Sequence, residues 1–201
     1  AQLHMIVRPR AGAQVTVVHL MDRLMERQLD SHAAAMLKKA VEARGITVLV
    51  NSETVAIIGK RRVQAVALKN GTQIEADLVV VAAGIRSNID LAHGAGLNVD
   101  RGIIVDDNLR TSRPDIFAIG ECAEHRGVCY GLVEPAYEQA RVLAAHLADE
   151  NAHYPGSVLA TNLKVSGVNV FSAGDFIGAP GTEQLIFSDA GALDYDGCKA
   201  A

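Results

Sequence analysis

The sequence predicts an α/β fold, because one βαβ unit near its start is followed by a run of short antiparallel strands. Residues 15–20 form a β-branched apolar strand, a helix follows from about residue 31 to about Arg44, and residues 46–50 form a second strand. A helical crossover implies that these two strands pair in parallel. Residues 5–7 fit a further short strand. We therefore expect part of a doubly wound sheet.

The helix of this unit has signals at both ends. Asp30 or Ser31 can accept a hydrogen bond from the free N–H groups of the first turn. Gly45 supplies the stop, since glycine readily adopts the left-handed conformation that ends many helices. The apolar residues between them keep a helical spacing: Ala33, Met36 or Leu37, Ala40 and Val41.

The next segment has a different pattern, that of an antiparallel meander. Asn70-Gly71 lies between two of its runs, and Asn-Gly is the strongest short hairpin signal because both positions tolerate positive φ. The predicted strands are residues 54–58, 63–68 and 72–76.

Two other stretches also favour β structure. Residues 77–83 are so apolar that a strand there should be covered on both faces, and Gly84 closes it. From Ser157 onward, residues 163–165 and 168–171 alternate between apolar and polar side chains.

Residues 111–123 give the strongest functional signal. Residues 116–119 are an apolar run long enough for one buried strand, which Pro114 begins and Gly120 ends, and Glu121 follows at once. Glycine lets a ligand approach the backbone closely, and a carboxylate can accept hydrogen bonds from sugar or polyol hydroxyls. Ligands of open α/β sheets bind outside the carboxyl ends of the strands. The stretch therefore predicts a ligand site.

The same stretch resembles the second flavin fingerprint of two-dinucleotide-domain flavoproteins, T-S-x-P-x-(I/V)-(F/Y)-A-x-G-(D/E)-x-A. With its Glu and Cys, and with residues 130–135 and 137–140 after it, it is similar to two families: the large subunit of NAD(P)H-dependent assimilatory nitrite reductase and the electron-transfer subunit of assimilatory nitrate reductase. The resemblance extends from about Val15 to about Phe187. It implies a partial doubly wound two-dinucleotide-domain flavoprotein fold, with FAD and NAD(P)H as cofactors.

The resemblance also implies a division into three parts. Residues 1–86 would be the C-terminal part of an NAD(P)-binding domain with its β-meander. Residues 87–150 would be the C-terminal part of an FAD-binding domain, and residues 151–201 would begin a truncated C-terminal α+β domain. The family usually has Pro where this chain has Ser87.

The glycine loops that hold the cofactor pyrophosphates in this family are not found in the sequence. Gly94 and Gly96 begin a G-x-G-x-x-G pattern, but Val99 breaks it. A run of four cysteines for an iron–sulfur cluster is also absent. We expect an internal piece of a larger subunit whose own affinity for FAD is weak.

On the flavin side, the resemblance assigns roles to five residues. Glu121 would hold a ribityl hydroxyl of FAD, and Gly120 would permit its close approach. A helix from about residue 135 to about 146 would point its N-terminus, with the amides of Leu132, Val133 and Glu134, at the flavin pyrimidine edge, where a positive helix end favours reduction. The alternative is a plain packing helix, whose apolar stripe is Ala136, Ala140, Leu143 and Leu147.

On the nicotinamide side, Gly84 would flank the nicotinamide ring. A dinucleotide site often has an acidic residue at the end of its second strand, but this chain has His19 there, followed by Arg23 in a charged run. The missing carboxylate and the nearby Arg suit the 2′-phosphate of NADPH. The alternative is a charged surface loop, so the choice between NADH and NADPH stays open.

Cys122, His125 and Cys129 have a spacing that could hold zinc, but a suitable fourth ligand is missing. We favour an ordinary flavoprotein loop with two free thiols and predict no metal site. No arrangement of Ser, His and Asp indicates a catalytic side chain.

Composition excludes several classes of function. A net charge of −4 argues against a nucleic-acid partner. No apolar run reaches the roughly 20 residues of a membrane helix. Three cysteines do not suggest a disulfide framework, so we expect a cytoplasmic setting. Unpaired sheet edges would also permit a homo-oligomer.

The resemblance therefore predicts a portion of an FAD-dependent NAD(P)H oxidoreductase. It would pass electrons through flavin to the metal centre of a nitrite or nitrate reductase, with iron–sulfur, siroheme or other reductase domains or subunits as partners. The alternative is a non-catalytic fragment or self-association module of the same ancestry with no bound cofactor.

Overall fold

The structure is a computed structural model that describes residues 13–165, 167–174, 181–189 and 194–200. The described residues fall into two units, one drawn from Ala1–Ala83 and Ala160–Ala201, the other from Gly84–Leu159. The possible strand at residues 5–7 lies outside the described residues. The division into three domains stays a prediction.

The predicted βαβ unit is confirmed in the first of these units. Strands β1 (Val15–Val18) and β2 (Ile46–Leu49) pair in parallel, with Val15 opposite Ile46, and helix α1 (Ser31–Glu42) connects them. One face of the helix is buried with both strands in an aliphatic core that contains Val17, Leu24, Leu29, Ala33, Ala34, Leu37, Val41, Ile46 and Val48.

The ends of α1 follow the predicted signals. Asp30 is the N-cap residue, and its Oδ1 atom accepts a hydrogen bond of 2.9 Å from the Ala33 N–H. Gly45 follows the helix with a φ of +78°, a conformation that residues with a Cβ rarely adopt.

The antiparallel meander is also confirmed. Strands β3 (Thr54–Gly59), β4 (Val63–Leu68) and β5 (Gln73–Glu75) form a three-stranded sheet in that order. At the Asn-Gly turn, Asn70 Oδ1 accepts a hydrogen bond of 3.0 Å from the Thr72 N–H.

The prediction of a strand at residues 77–83 is wrong. These residues form no strand, and Leu78 and Val81 keep 79% and 73% of their surface exposed. An apolar run shows that a segment favours burial, but a strand exists only if a neighbouring backbone pairs with it. No described residue provides that neighbour.

The β pattern predicted after Ser157 is confirmed. Strands β9 (Ala160–Val165) and β10 (Val168–Ala173) form one antiparallel pair, and strands β11 (Glu183–Asp189) and β12 (Asp194–Ala200) form another. Side chains from the first pair pack against the aliphatic core beside α1.

The second unit combines a small mixed sheet with two helices. Strands β6 (Ile103–Val105) and β7 (Ala123–His125) pair in parallel, and β8 (Val128–Cys129) adds to β7 in antiparallel fashion. The helices are α2 (Asp90–Gly94) and α3 (Val133–Leu147), so the helix predicted from about residue 135 is confirmed and begins two residues earlier. The core consists of Val105, Leu109, Ala118, Ala123, Tyr130 and Tyr154.

The buried strand predicted at residues 116–119 is wrong. Phe117 makes only an isolated antiparallel bridge with Arg110, and Ile116 is 39% exposed. Four apolar residues can cross the edge of a core without entering a sheet. The strand of this region is β7, which begins at Ala123 after the glycine and the acid instead of before them.

The predicted apolar stripe of α3 is also partly wrong. The buried positions of the helix are Pro135 and Gln139, whereas Leu147 is 63% exposed. A buried amide is tolerated in a helix face when it finds a hydrogen-bonding partner, and Gln139 has one, as described below. No helix in the described part of the chain is long and apolar enough to cross a membrane.

We expect Asp30→Ala to lower the free energy of unfolding by about 1 kcal/mol, because the first turn of α1 loses its capping oxygen. Chemical denaturation followed by circular dichroism measures the change. Asp30→Ser keeps a capping oxygen and should remain within about 0.5 kcal/mol of the parent chain. An equal loss in both variants would contradict a capping role.

Candidate functional site

The predicted glycine and acid lie in a short 3₁₀ turn, Gly120–Cys122, which we call the Gly120 turn. Gly120 has a φ of +81°, and the Ala123 N–H at the end of the turn donates to its carbonyl. A Cβ added to Gly120 would lie 3.9 Å from Ala136 Cβ, an ordinary contact distance. The backbone conformation, and not a lack of room, therefore requires glycine here.

Two side chains tie this turn to the rest of its unit. Gln139 Oε1, on α3, accepts a hydrogen bond of 2.6 Å from the Gly120 N–H. Ser87 Oγ donates a hydrogen bond of 2.6 Å to the Glu121 carbonyl. The turn is thus held at its first N–H and at its second carbonyl, on either side of the Glu121 side chain.

The Glu121 carboxylate itself is exposed and forms no hydrogen bond or ion pair with the described residues. Glu124, three residues later, differs from it in both respects, because its carboxylate is buried and hydrogen bonded. Glu124 is 4% exposed, and its Oε2 accepts a hydrogen bond of 2.9 Å from the Gly102 N–H. One carboxylate supports the fold, and the other has acceptor oxygens that no described group uses.

Helix α3 begins at Val133, one turn before Ala136, the residue that a side chain at Gly120 would contact. Its N-cap residue, Leu132, is extended and has no side-chain capping bond, and Val133 and Glu134 are exposed. Pro135 contributes no N–H group. Uncapped amides at a helix start present donors and a partial positive charge. The second unit thus contains an acceptor, Glu121, and a group of donors.

The predicted nicotinamide residues are distributed over both units. Gly84 belongs to the second unit and has a φ of +84°. His19 and Arg23 belong to the first. His19 is buried, with Nε2 3.3 Å from Glu26 Oε2. Arg23 Nη1 donates to both carboxylate oxygens of Asp22, at 3.1 and 3.2 Å. The Asp22 carboxylate therefore pairs with the predicted phosphate-binding cation, and the choice between NADH and NADPH stays open.

The comparison with protein families decides the ancestry of the chain. The model of the family described as pyridine nucleotide-disulphide oxidoreductase matches residues 6–148. The chain belongs to this family.

Among curated proteins, the chain is 55% identical over 166 residues to an NAD(P)H nitrite reductase of Bacillus subtilis (strain 168), and 45% identical over 164 residues to an assimilatory nitrate reductase electron transfer subunit of the same organism. These matches cover 82% and 81% of the chain but 21% of each relative. The chain therefore spans about a fifth of the length of these relatives.

Two solved structures share the fold. A ferredoxin reductase for the CYP199A2 system from Rhodopseudomonas palustris matches with a TM-score of 0.83 and 29% identity, over 94% of this chain and 48% of that one. An FAD-dependent pyridine nucleotide-disulphide oxidoreductase from Desulfovibrio vulgaris matches with a TM-score of 0.75 and 32% identity, over 88% and 48%. These matches confirm the partial α/β flavoprotein fold that the sequence predicts.

The family implies FAD, and the site in the second unit fits one part of that cofactor. The uncommitted Glu121 acceptor suits a polyol chain, and the uncapped start of α3 suits an electron-rich ring edge. The glycine loops that would receive the pyrophosphate are absent from the sequence. The residues of the second unit therefore fit the ribityl chain and the ring of FAD.

The Cys-x-x-His spacing does not form a metal site in the described residues, where no three His, Cys, Asp or Glu side chains are grouped to hold an ion. His125 Nε2 instead lies 2.9 Å from Asp107 Oδ1. Both Cys122 and Cys129 are free thiols, and burial raises the pKa of Cys129, which disfavours its reactive thiolate.

Sequence reasoning missed Ser87 and Gln139 as parts of the site. Gln139 carries a weak signal, because it lies four residues after Pro135 and so on the face of α3 that the fold buries. Ser87 carries none, since its partner is a backbone carbonyl 34 residues away in sequence.

We expect Gly120→Ala to lower the free energy of unfolding by about 1–2 kcal/mol, because alanine strains at a positive φ. Gly94→Ala is the matched control, since Gly94 lies in α2 without positive φ and a Cβ added there would meet no atom within 4 Å. Urea denaturation of both variants measures the difference. A Gly120→Ala chain as stable as Gly94→Ala would contradict the conformational requirement.

We also expect the stability of the second unit to decline in acid through Asp107. Arg126 and His125 hydrogen bonds lower the pKa of Asp107 from 3.8 to about 2. Because the pKa of Asp107 is lower in the folded chain than in the unfolded chain, its ionised carboxylate stabilises the fold at pH values above about 4. This contribution is lost as the pH falls from about 4 to about 2. Asp107→Asn should flatten the thermal stability profile in that window, and Asp115→Asn, an exposed control, should not. Equal profiles in all three chains would refute the assignment.

Proposed function

We propose that this chain is the flavin- and nicotinamide-facing portion of an FAD-dependent NAD(P)H oxidoreductase that supplies electrons to a nitrite or nitrate reductase. The observation that carries the proposal is the Glu121 carboxylate, which is exposed and uncommitted on a turn tied beside the start of α3. Family membership and the similarity to nitrite and nitrate reductase proteins support it.

Bound FAD would supply the chemistry, by accepting hydride from a nicotinamide and releasing electrons one at a time. The residues of this chain would bind and orient it. Glu121 would accept a hydrogen bond from a ribityl hydroxyl, and Gly120 would keep the backbone clear of a side chain there. The amides of Leu132, Val133 and Glu134 would place positive charge near the ring. None of these roles requires a side chain to transfer a proton.

The remaining functional expectations follow from the same relatives. We propose NAD(P)H as the donor, with Gly84 beside the nicotinamide and His19 and Arg23 near the adenosine end. Partners would be the iron–sulfur, siroheme or other reductase domains or subunits that receive the electrons. The setting would be cytoplasmic.

A second candidate, a self-association module without cofactor, is favoured by one observation. Leu78, Val80 and Val81 lie within four residues of one another, and each is more than half exposed. Apolar residues grouped in this way often mark a surface that another chain covers. Sedimentation of the purified chain would show a dimer or larger assembly if this candidate is right, and a monomer if it is wrong.

Glu121→Ala tests the main proposal. We expect the dissociation constant for added FAD to rise at least about tenfold, because a hydrogen bond to a charged acceptor contributes about 1.5–3 kcal/mol. Quenching of flavin fluorescence measures binding. Glu150→Ala, an exposed glutamate in the same unit, is the control and should leave affinity unchanged.

Two results would overturn the proposal. One is a parent chain that stays colourless and takes up no FAD at millimolar concentration. The other is equal FAD affinity in Glu121→Ala and Glu150→Ala, which would show that the exposed carboxylate has no part in binding.

A further inference from the structure

Gln139 is an unusual residue for the place it occupies. Its side chain is fully buried, on the face of α3 that also buries Pro135. A buried primary amide costs free energy unless it is hydrogen bonded, so an apolar residue would ordinarily fill such a position. The amide must therefore provide something that packing alone does not.

The only acceptor of the side chain, Oε1, receives the Gly120 N–H at 2.6 Å. Its orientation is fixed by chemistry, because an N–H donor can face the oxygen of an amide but not its NH₂ group. The Nε2 atom is buried and completes no hydrogen bond with the described residues, although the amide is close enough to the Tyr154 hydroxyl to influence its pKa. The Gln139 amide thus bonds to Gly120 through its oxygen and lies beside the Tyr154 hydroxyl.

The hydrogen bond from the Gly120 N–H to Gln139 restrains the residue of the turn that has the greatest conformational freedom of its own. Gly120 has no side chain and a positive φ, so its own conformational freedom is the largest in the turn. Ser87 holds the next carbonyl, that of Glu121, from the other side. The two bonds enclose the Cα atom of Glu121, which sets the direction in which its carboxylate leaves the backbone.

Gln139 also connects the two halves of the candidate site. It lies on the same helix whose first residues, Val133 and Glu134, present free amides. A bond from this helix to the Gly120 turn fixes the separation between those donors and the Glu121 acceptor. Preorganisation of this kind lowers the ordering cost of ligand binding.

We propose that Gln139 and Ser87 are positioning residues that hold the Gly120 turn in its binding geometry before any ligand arrives. Neither side chain needs to touch the cofactor. The inference rests on the proposed function in one respect, namely that the ligand presented to Glu121 is FAD.

The test uses the full chain and two readouts. Gln139→Leu removes the acceptor at similar volume, Gln139→Glu keeps an oxygen acceptor, and Ser87→Ala removes the second tie with little change in packing. Amide hydrogen exchange at Gly120, measured by NMR without FAD, reports the tie itself. Fluorescence quenching of added FAD reports binding. Asp107→Asn is the control, because it weakens the same unit away from the turn.

We expect Gln139→Leu to speed exchange of the Gly120 N–H and to raise the FAD dissociation constant, each about tenfold, as loss of one buried hydrogen bond implies. Gln139→Glu should recover both to within about threefold. Ser87→Ala should weaken FAD binding without exposing the Gly120 N–H. Asp107→Asn should lower thermal stability and leave FAD affinity unchanged.

The inference is overturned if Gln139→Leu and Ser87→Ala both bind FAD as the parent chain does. It is also overturned if Gly120 exchange is the same with and without the Gln139 amide. If the parent chain binds no FAD, the proposed function fails. The positioning role is then tested by NMR alone. It is rejected if the Glu121 resonances are unchanged in both Gln139→Leu and Ser87→Ala. Should Gln139→Leu not fold, Ser87→Ala decides the inference: FAD affinity equal to that of the parent chain overturns it.

Discussion

In the second unit, a hydrogen bond between a buried helix side chain and the N–H of a glycine ties the candidate site to helix α3. Gln139 and Gly120 are 19 residues apart, and their bond fixes a short turn against α3. It acts together with the Ser87 bond to the Glu121 carbonyl and the Ala123 N–H bond to the Gly120 carbonyl. The acid in this turn remains open to solvent.

The contrast between Glu121 and Glu124 shows how neighbouring carboxylates acquire different roles. Glu124 lies in β7 and is used by the fold, because it satisfies the Gly102 N–H in the interior. A Cβ on Gly102 would lie 2.9–3.0 Å from three atoms of this region, so the packing there is tight. Glu121 precedes the strand, and no described group competes for its oxygens. Position relative to the strand thus separates a buried, hydrogen-bonded acid from one that stays exposed.

Much of the local structure was predictable because it depends on neighbours in sequence. The Asp30 cap, the Gly45 stop and the Asn70-Gly71 turn each follow from the conformations of one or two residues. The strand predictions at residues 77–83 and 116–119 failed, because a strand needs a partner that composition cannot reveal. Prediction therefore succeeded for caps, for turns and for strands joined by a hairpin or a helical crossover, and it failed for two apolar runs that find no partner strand in the described residues.

The sequence by itself determined the family, since a fingerprint of fixed residue types carries that information directly, and the same fingerprint predicts the glycine and the acid of the candidate site. Tertiary structure alone decided which acid stays free and which residues hold it. Ser87 and Gln139 are remote from Glu121 along the chain and reach its turn only after α3 and the loop before α2 have packed. Contacts across such sequence distances depend on the folded arrangement, which residue spacing does not encode.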